Sequence, residues 1–307
     1  LVQNSLTNCQ GFAFQFCTNT ICRFCSSKDL VSLSPNFNGL VVGDATGSVY
    51  LKCARCENYD CSYANNLGTR RSGGLVFVGT NDFVAERCTA DSNILVDQTA
   101  AGIQSHWGFE SVGIVAIGIP RPQRGVMKDC HVLNMPTAFV AIASDDVIFE
   151  NCTATGGSLS GVAGINTVGF QCSGTSNGIT FKNCIATGFN SPTSATGNGF
   201  RASSGSNISI LDCVATKNAQ GISVASGVTR LVADSNEVAF NTTGVLDTTA
   251  AQTPNLYTRN VAFANTTNYS VNTANPNFVV VQASQAAGYP LYTAANASPL
   301  SNFSLQP

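Results

Sequence analysis

Apolar and polar positions alternate along this chain in short runs that keep restarting. In Ile179-Thr180-Phe181-Lys182 the alternation has the period of a half-buried strand, Asn183 breaks it, and Cys184 begins a second short alternation through Thr187. The phrase returns as Val147-Ile-Phe-Glu-Asn-Cys-Thr-Ala-Thr155 and as Ile208-Ser-Ile-Leu-Asp-Cys-Val-Ala-Thr216. Looser copies are Phe83-Val-Ala-Glu-Arg-Cys-Thr-Ala90 and Val126-Met-Lys-Asp-Cys-His-Val132. The predicted elements are therefore short strands joined by tight corners, repeated along the chain.

Aligning the copies gives an anchor column, read as Cys25, Cys56, Cys88, Cys130, Cys152, Cys184 and Cys213, continued by Asn236 and Asn260. Successive anchors lie 22 to 42 residues apart, and the shortest spacings mark the bare unit. A small residue followed by an apolar one precedes each anchor: Gly11-Phe12, Gly39-Leu40, Gly74-Leu75, Gly113-Ile114, Ala138-Phe139, Gly169-Phe170, Gly199-Phe200, Gly221-Ile222 and Gly244-Val245. The segment from this pair to the anchor varies little in length, and the segment after the anchor varies much. Insertions are thus expected at one edge of the repeat, at 57–73 and 89–112 above all. Such a repeat describes a solenoid of parallel strands.

On these residues, over roughly 4 to 281, the chain resembles the right-handed parallel β-helix proteins of the pectate-lyase-like superfamily. The resemblance implies an all-β fold: a single right-handed parallel β-helix of about nine or ten coils stacked roughly 4.8 Å apart. Residues 1–281 are assigned to the β-helix, and residues 282–307, where the pattern stops, to a C-terminal cap or extended tail. The first residues already look like the corner before a coil. An uncapped coil would expose strand edges, so Leu1 is expected to be a processed or trimmed start, or that end to be covered by another subunit.

Composition narrows the functional classes. Charged residues are only 10% of the 307 and the formal net charge is −2, which leaves no basic patch for nucleic acid. No apolar run is long enough for a membrane span. Thirteen cysteines raise the question of disulfides, but equivalent residues in stacked strands lie about 4.8 Å apart against about 3.8 Å between disulfide Cβ atoms. The column is read as buried free thiols, and cysteine usage does not fix the redox compartment. Sequons occur at Asn151, Asn207, Asn241, Asn265, Asn268, Asn296 and Asn302, with Asn151 expected to be buried at a ladder corner.

Several motifs carry possible chemistry. Cys22-x2-Cys25 and Cys53-x2-Cys56 have zinc-like spacing, but residues three apart in a strand point to opposite faces, so no metal site is assigned and no cofactor is expected. Asp145-Asp146 resembles the paired carboxylates of β-helix glycoside hydrolases, yet it sits in a tight turn, and the Gly-His-Gly and Arg-Ile-Lys motifs of polygalacturonases do not occur. Arg121 and Arg124 are expected to be solvated in a proline-rich bulge. The outward Thr155, Thr187 and Thr216 column fails at Asp91 and Leu133 and is read as packing, not as an ice-binding face.

The candidate site lies in the insertions. Trp107, the sole tryptophan, adjoins His106 in the 89–112 segment, and Arg70 and Arg71 lie one coil earlier. Trp107, Arg70 and Arg71 form the candidate ligand-binding set, since Trp faces stack on sugars and Arg binds hydroxyls or carboxylates. His106 with Asp97 or Glu110 forms the candidate acid–base set. An enzyme should gather at least two of Asp60, Asp82, Asp97 and Glu110.

Two functions are expected. The first is a non-enzymatic extracellular fibre, filament or adhesion rod that self-assembles, at a particle or cell surface. The alternative is a polysaccharide-binding or polysaccharide-degrading protein, with carbohydrate as its partner.

Overall fold

The structure, a computed structural model, describes residues 2–3, 10–14, 21–32, 37–43, 51–52, 54–66, 72–92, 106–113, 119–156, 167–190, 197–249, 255–271, 280–283 and 302–305. Along them the chain winds as a right-handed parallel β-helix, with neighbouring coils in parallel register. One coil shows the plan. Thr137–Ile142 and Asp145–Glu150 belong to a 20-stranded sheet that bends at the corner between them, and Thr153–Thr155 belongs to a 12-stranded second sheet. The next coil repeats this with Val168–Ser173, Thr180–Lys182 and Ile185–Thr187, each lying on its counterpart.

Each strand position has its own inward column. Phe109, Phe139, Phe170 and Phe200 stack in the first strand, with Phe170 4.8 Å from Phe139 and 4.9 Å from Phe200 in near-parallel planes. Met127, Phe149, Phe181 and Ile210 fill the second. The third strand carries small residues, Ala90, Val132, Ala154, Ala186 and Ala215, because the rings opposite already occupy the width of the rod. Gly125 belongs to this economy of space: a Cβ there would lie 2.0 Å from the Phe83 ring.

The corner into the third strand turns on one residue at φ near +53°. Arg87, Asp129, Asn151, Asn183 and Asp212 hold this conformation immediately before their anchors, and Asn and Asp tolerate it best. The residue after each anchor then donates its N–H to the anchor carbonyl of the coil before, as His131 does to Cys88, Thr153 to Cys130 and Ile185 to Cys152.

The same bonds correct the anchor column. Asp60 donates to Cys25 and Thr89 to Tyr59, so Tyr59, not Cys56, stands between Cys25 and Cys88. Cys56 lies opposite Cys22 and Ala85 instead. The motif Cys-x2-Cys recurs in the second coil shifted by one corner, and the resulting false match hid the register. The fourth coil also starts at Gly108-Phe109, whose Phe109 pairs Leu75 and Phe139, and not at Gly113-Ile114. Its extra residues therefore fall between the first and second strands, so insertions are not confined to the corner after the anchor. Likewise 60–66 and 106–112 are strands and not insertions.

Within 282–307, residues 302–305 form a strand of the second sheet, lying between Val261–Phe263 and Val280–Ala283. Asn302 thereby joins the asparagine column, its Oδ1 accepting from the backbone N–H (3.1 Å) and the Nδ2 (2.8 Å) of Asn260.

Candidate functional site

The corner between the first and second strands carries the polar surface. In coil after coil a residue there takes positive φ: Asp82 (55°), Arg124 (54°), Asp146 (54°), Gly178 (69°), Asn207 (53°) and Arg230 (57°). This backbone reversal lets two consecutive side chains reach the surface before the inward alternation resumes, as Asp145 and Asp146 do ahead of buried Val147. Strand pairing then aligns the first member of each pair, Asn81 with Gln123, Gln123 with Asp145, Asp145 with Asn177, Asn177 with Ser206 and Ser206 with Thr229. The result is a row of hydrogen-bonding side chains from Gln123 to Thr229 parallel to the rod axis, with a second row beside it that is broken at Gly178, one position per strand spacing of about 4.8 Å.

The strip is held from within and without. Beneath it, the buried Ser111 and Ser144 hydroxyls lie 3.0 Å apart, Ser144 N–H donates to Ser176 Oγ at 3.1 Å, and Ser176 Oγ donates to Ser173 O at 2.6 Å. On the surface, Arg121 spans three coils, donating to Asp145 Oδ1 (2.8 Å) and to Thr175 O and Oγ1 (2.6 and 2.7 Å). Arg124 grips Asp82 with Nε and Nη2 at 2.6 and 2.9 Å, and this pairing raises the Arg124 pKa above its ordinary value. Asn177 Oδ1 accepts from Ser206 Oγ (2.9 Å) and Asn207 Nδ2 (2.7 Å). Arg121 and Arg124 are thus ion-paired and not simply solvated. With two acids neutralised in this way, the strip presents amides, hydroxyls and fixed ion pairs and no strong field of one sign.

The sequence-based candidates fall elsewhere. Trp107 and Glu110 lie on the strand His106–Val112, not in a loop. Trp107 is partly buried and pairs with Gly73 and Thr137. Glu110 is 1% exposed between Val76 and Val140 of the neighbouring strands. Arg70, Arg71 and Asp97 lie outside the described residues, as does the His106 side chain. Asp60, Asp82 and Glu110 sit on a third strand, a corner and a first strand respectively, so the described carboxylates are not gathered. Among the described residues no group of three or more His, Cys, Asp or Glu side chains is placed to hold a metal ion. Sequence reasoning missed Gln123, Asn177, Ser206 and Thr229. Their signal was present: the second residue of every doublet stands six positions before its anchor.

Comparisons with known proteins give three findings. The family model for the right-handed β-helix region matches residues 115–285. A search of curated proteins finds no match. Among solved structures, the periplasmic alginate epimerase AlgG is 13% identical with a TM-score of 0.45, over 70% of this chain and 57% of that one. The A-module of the Azotobacter vinelandii mannuronan C-5 epimerase AlgE4 is 14% identical with a TM-score of 0.45, over 86% of this chain and 71% of that one. The AlgE6 A-module is 14% identical at 0.44, over 86% and 70%. The chain therefore spans just over half the length of the AlgG structure. The expectation of a non-enzymatic, self-assembling surface rod is corrected: the solved structures found are epimerases of alginate and mannuronan and not fibre proteins. The stacked coils, their ladders and the matched family model together make the chain a member of the right-handed β-helix family.

Proposed function

We propose that the chain is a polysaccharide-active β-helix protein that holds its polymer along the corner strip, parallel to the rod axis. One observation carries this reading: five successive coils present Gln123, Asp145, Asn177, Ser206 and Thr229 in one aligned row, which stacks on the buried Asn81. A polymer with regularly spaced hydroxyls can meet such a row repeatedly, and each contact adds to the last without a deep pocket. The serines beneath fix the row before ligand arrives, which lowers the ordering cost of binding. The same reading puts the chain to work outside the cytoplasm, in the extracellular space or at a cell or particle surface.

Affinity electrophoresis in native gels cast with alginate, polygalacturonate or a neutral glucan tests the proposal. At least one polymer should retard the protein. Removing Gln123 and Asn177 together (Q123A/N177A) should weaken retardation about tenfold, since each lost hydrogen bond is worth about 0.5–1.5 kcal/mol. Lys182→Ala, on a different stretch of the rod surface, should leave it unchanged. Absence of retardation in every polymer, or retardation indifferent to Q123A/N177A, would overturn the reading. Chromatography and NMR of the recovered polymer show whether it has been cleaved or its sugars altered.

A further inference from the structure

The first described corner differs chemically from the corners after it. Cys22 ends the inward column of the strand Ile21–Arg23, and Cys25 is the anchor that leads into Ser26–Ser32. In a straight strand these two thiols would point to opposite faces. Here Phe24 takes φ +53° and turns the chain between them, so Cys22 is buried in the core and Cys25 packs partly against the same core, its Sγ donating to Arg23 O at 3.5 Å. At the equivalent places in later coils the pairs are Cys56 and Tyr59, Ala85 and Cys88, Met127 and Cys130, Phe149 and Cys152, and Phe181 and Cys184. Among the described residues only the first corner has a thiol on both sides.

Access is also graded. Cys22 is 3% exposed, and Cys56, Cys88, Cys130, Cys152 and Cys184 are fully buried, whereas Cys25 packs only partly against the core. A reagent arriving from solvent meets Cys25 before it can meet the buried Cys22.

We propose that Cys22 and Cys25 form an oxidisable dithiol, closed into a disulfide across the first corner by exchange with a small-molecule or protein disulfide. The step balances. The Cys25 sulfur attacks one sulfur of the incoming disulfide while its proton passes to the Cys22 sulfur, giving a mixed disulfide at Cys25 and releasing one thiolate. Cys22 then loses that proton to water, and its thiolate attacks the Cys25 sulfur and expels the second thiolate. The pair is oxidised by two electrons and the incoming disulfide is reduced to two thiols. Each sulfur is set for its part. The hydrogen bond from Cys56 pulls Cys22 down to about 7, which favours the thiolate that resolves the mixed disulfide. Burial pushes Cys25 up to about 11, so handing its proton to Cys22 speeds its attack without being the only route, water serving more slowly.

The test uses the full chain and glutathione disulfide as the probe, followed by acid quench, alkylation of remaining thiols and peptide mapping. The expected product is one intramolecular bond, Cys22 to Cys25, with Cys184 still reduced. In Cys22→Ser the second step is blocked, and a glutathione adduct should persist at Cys25. Since Cys22→Ser could impair folding, the wild type supplies an independent readout: before any oxidation, Cys25 should alkylate at least about tenfold faster than Cys184 in the native state. Equal alkylation rates, a bond joining Cys22 to Cys56, or no bond under conditions that oxidise the denatured chain would each overturn the proposal.

Discussion

Asn236 and Asn260 stand one above the other inside the rod, and a single oxygen joins them. Asn260 Oδ1 accepts both the backbone N–H of Asn236 at 3.0 Å and its Nδ2 at 2.8 Å. Asn236 repeats the service downward, accepting from Cys213 N–H at 2.9 Å and donating to Ile210 O at 2.9 Å. Corner N–H groups that face the core find no partner in the strand ladders, and the asparagine side chains supply one. A second column does the same at the next corner, where Asn241 accepts from Asn218 N–H and Asn265 from Asn241 N–H.

Asn236→Ala should therefore cost more than its size implies. It strands the Cys213 N–H and the Ile210 carbonyl in the interior, and each buried unsatisfied group costs about 1–3 kcal/mol. The midpoint of urea unfolding should fall accordingly. Cys184→Ala, which removes a thiol whose bond to Lys182 O is a weak 3.3 Å contact, should cost less than Asn236→Ala.

Phe170 lies in the middle of the ring stack, flanked by Phe139 and Phe200. Phe170→Ala should destabilise by about 3–5 kcal/mol, because the close-packed neighbours cannot collapse into the space. Phe170→Leu should cost distinctly less. Thermal unfolding followed by circular dichroism separates the two.

Sequons divide by burial and not by sequence. Asn241, Asn265, Asn268 and Asn302 are at most 5% exposed and hydrogen-bonded within the rod. Asn151 and Asn207 are exposed, which corrects the expectation that Asn151 is buried. Produced through a eukaryotic secretory route, the folded chain should carry glycans at Asn151 and Asn207 but not at Asn241 or Asn302, as glycopeptide mapping would show.

Asp234 sets an acid-side dependence of stability. Charge-assisted hydrogen bonds from Arg259, 2.8 Å from Nε, hold its carboxyl below the ordinary value. The folded state then binds fewer protons than the unfolded state through that range. The contribution is complete above the ordinary carboxylate pKa and is lost as pH falls through the lower folded value. Asp234→Asn should flatten that part of the stability–pH curve and leave the region near pH 7 nearly parallel to wild type, as urea titrations at several pH values would reveal.

Much of the fold was legible because stacking makes like residues recur. The anchor phrase ending in Cys152, Cys184 and Cys213 marks corners that the structure places in successive coils. The reading failed where one residue type served two columns. Cys56 imitated an anchor while Tyr59 held the place, and Gly113 imitated a coil start that Gly108 supplies. The corner row was passed over for a related reason. Trp107 and His106 stood out by rarity, whereas Gln123, Asn177 and Ser206 are ordinary polar residues that gain meaning only when aligned.

The repeat, the strand period and the small-residue corners follow from the order of residues, because these are local properties of backbone and side-chain size. Tertiary structure alone decided register between coils, and with it every lateral neighbour. Arg121 meets Thr175 across 54 residues of chain, and Asn302 reaches Asn260 across 42. Such contacts depend on how many residues each insertion spends before the chain returns to the rod. Hydrogen bonding between strands fixes that return, and a corner in the sequence does not record which coil it will face.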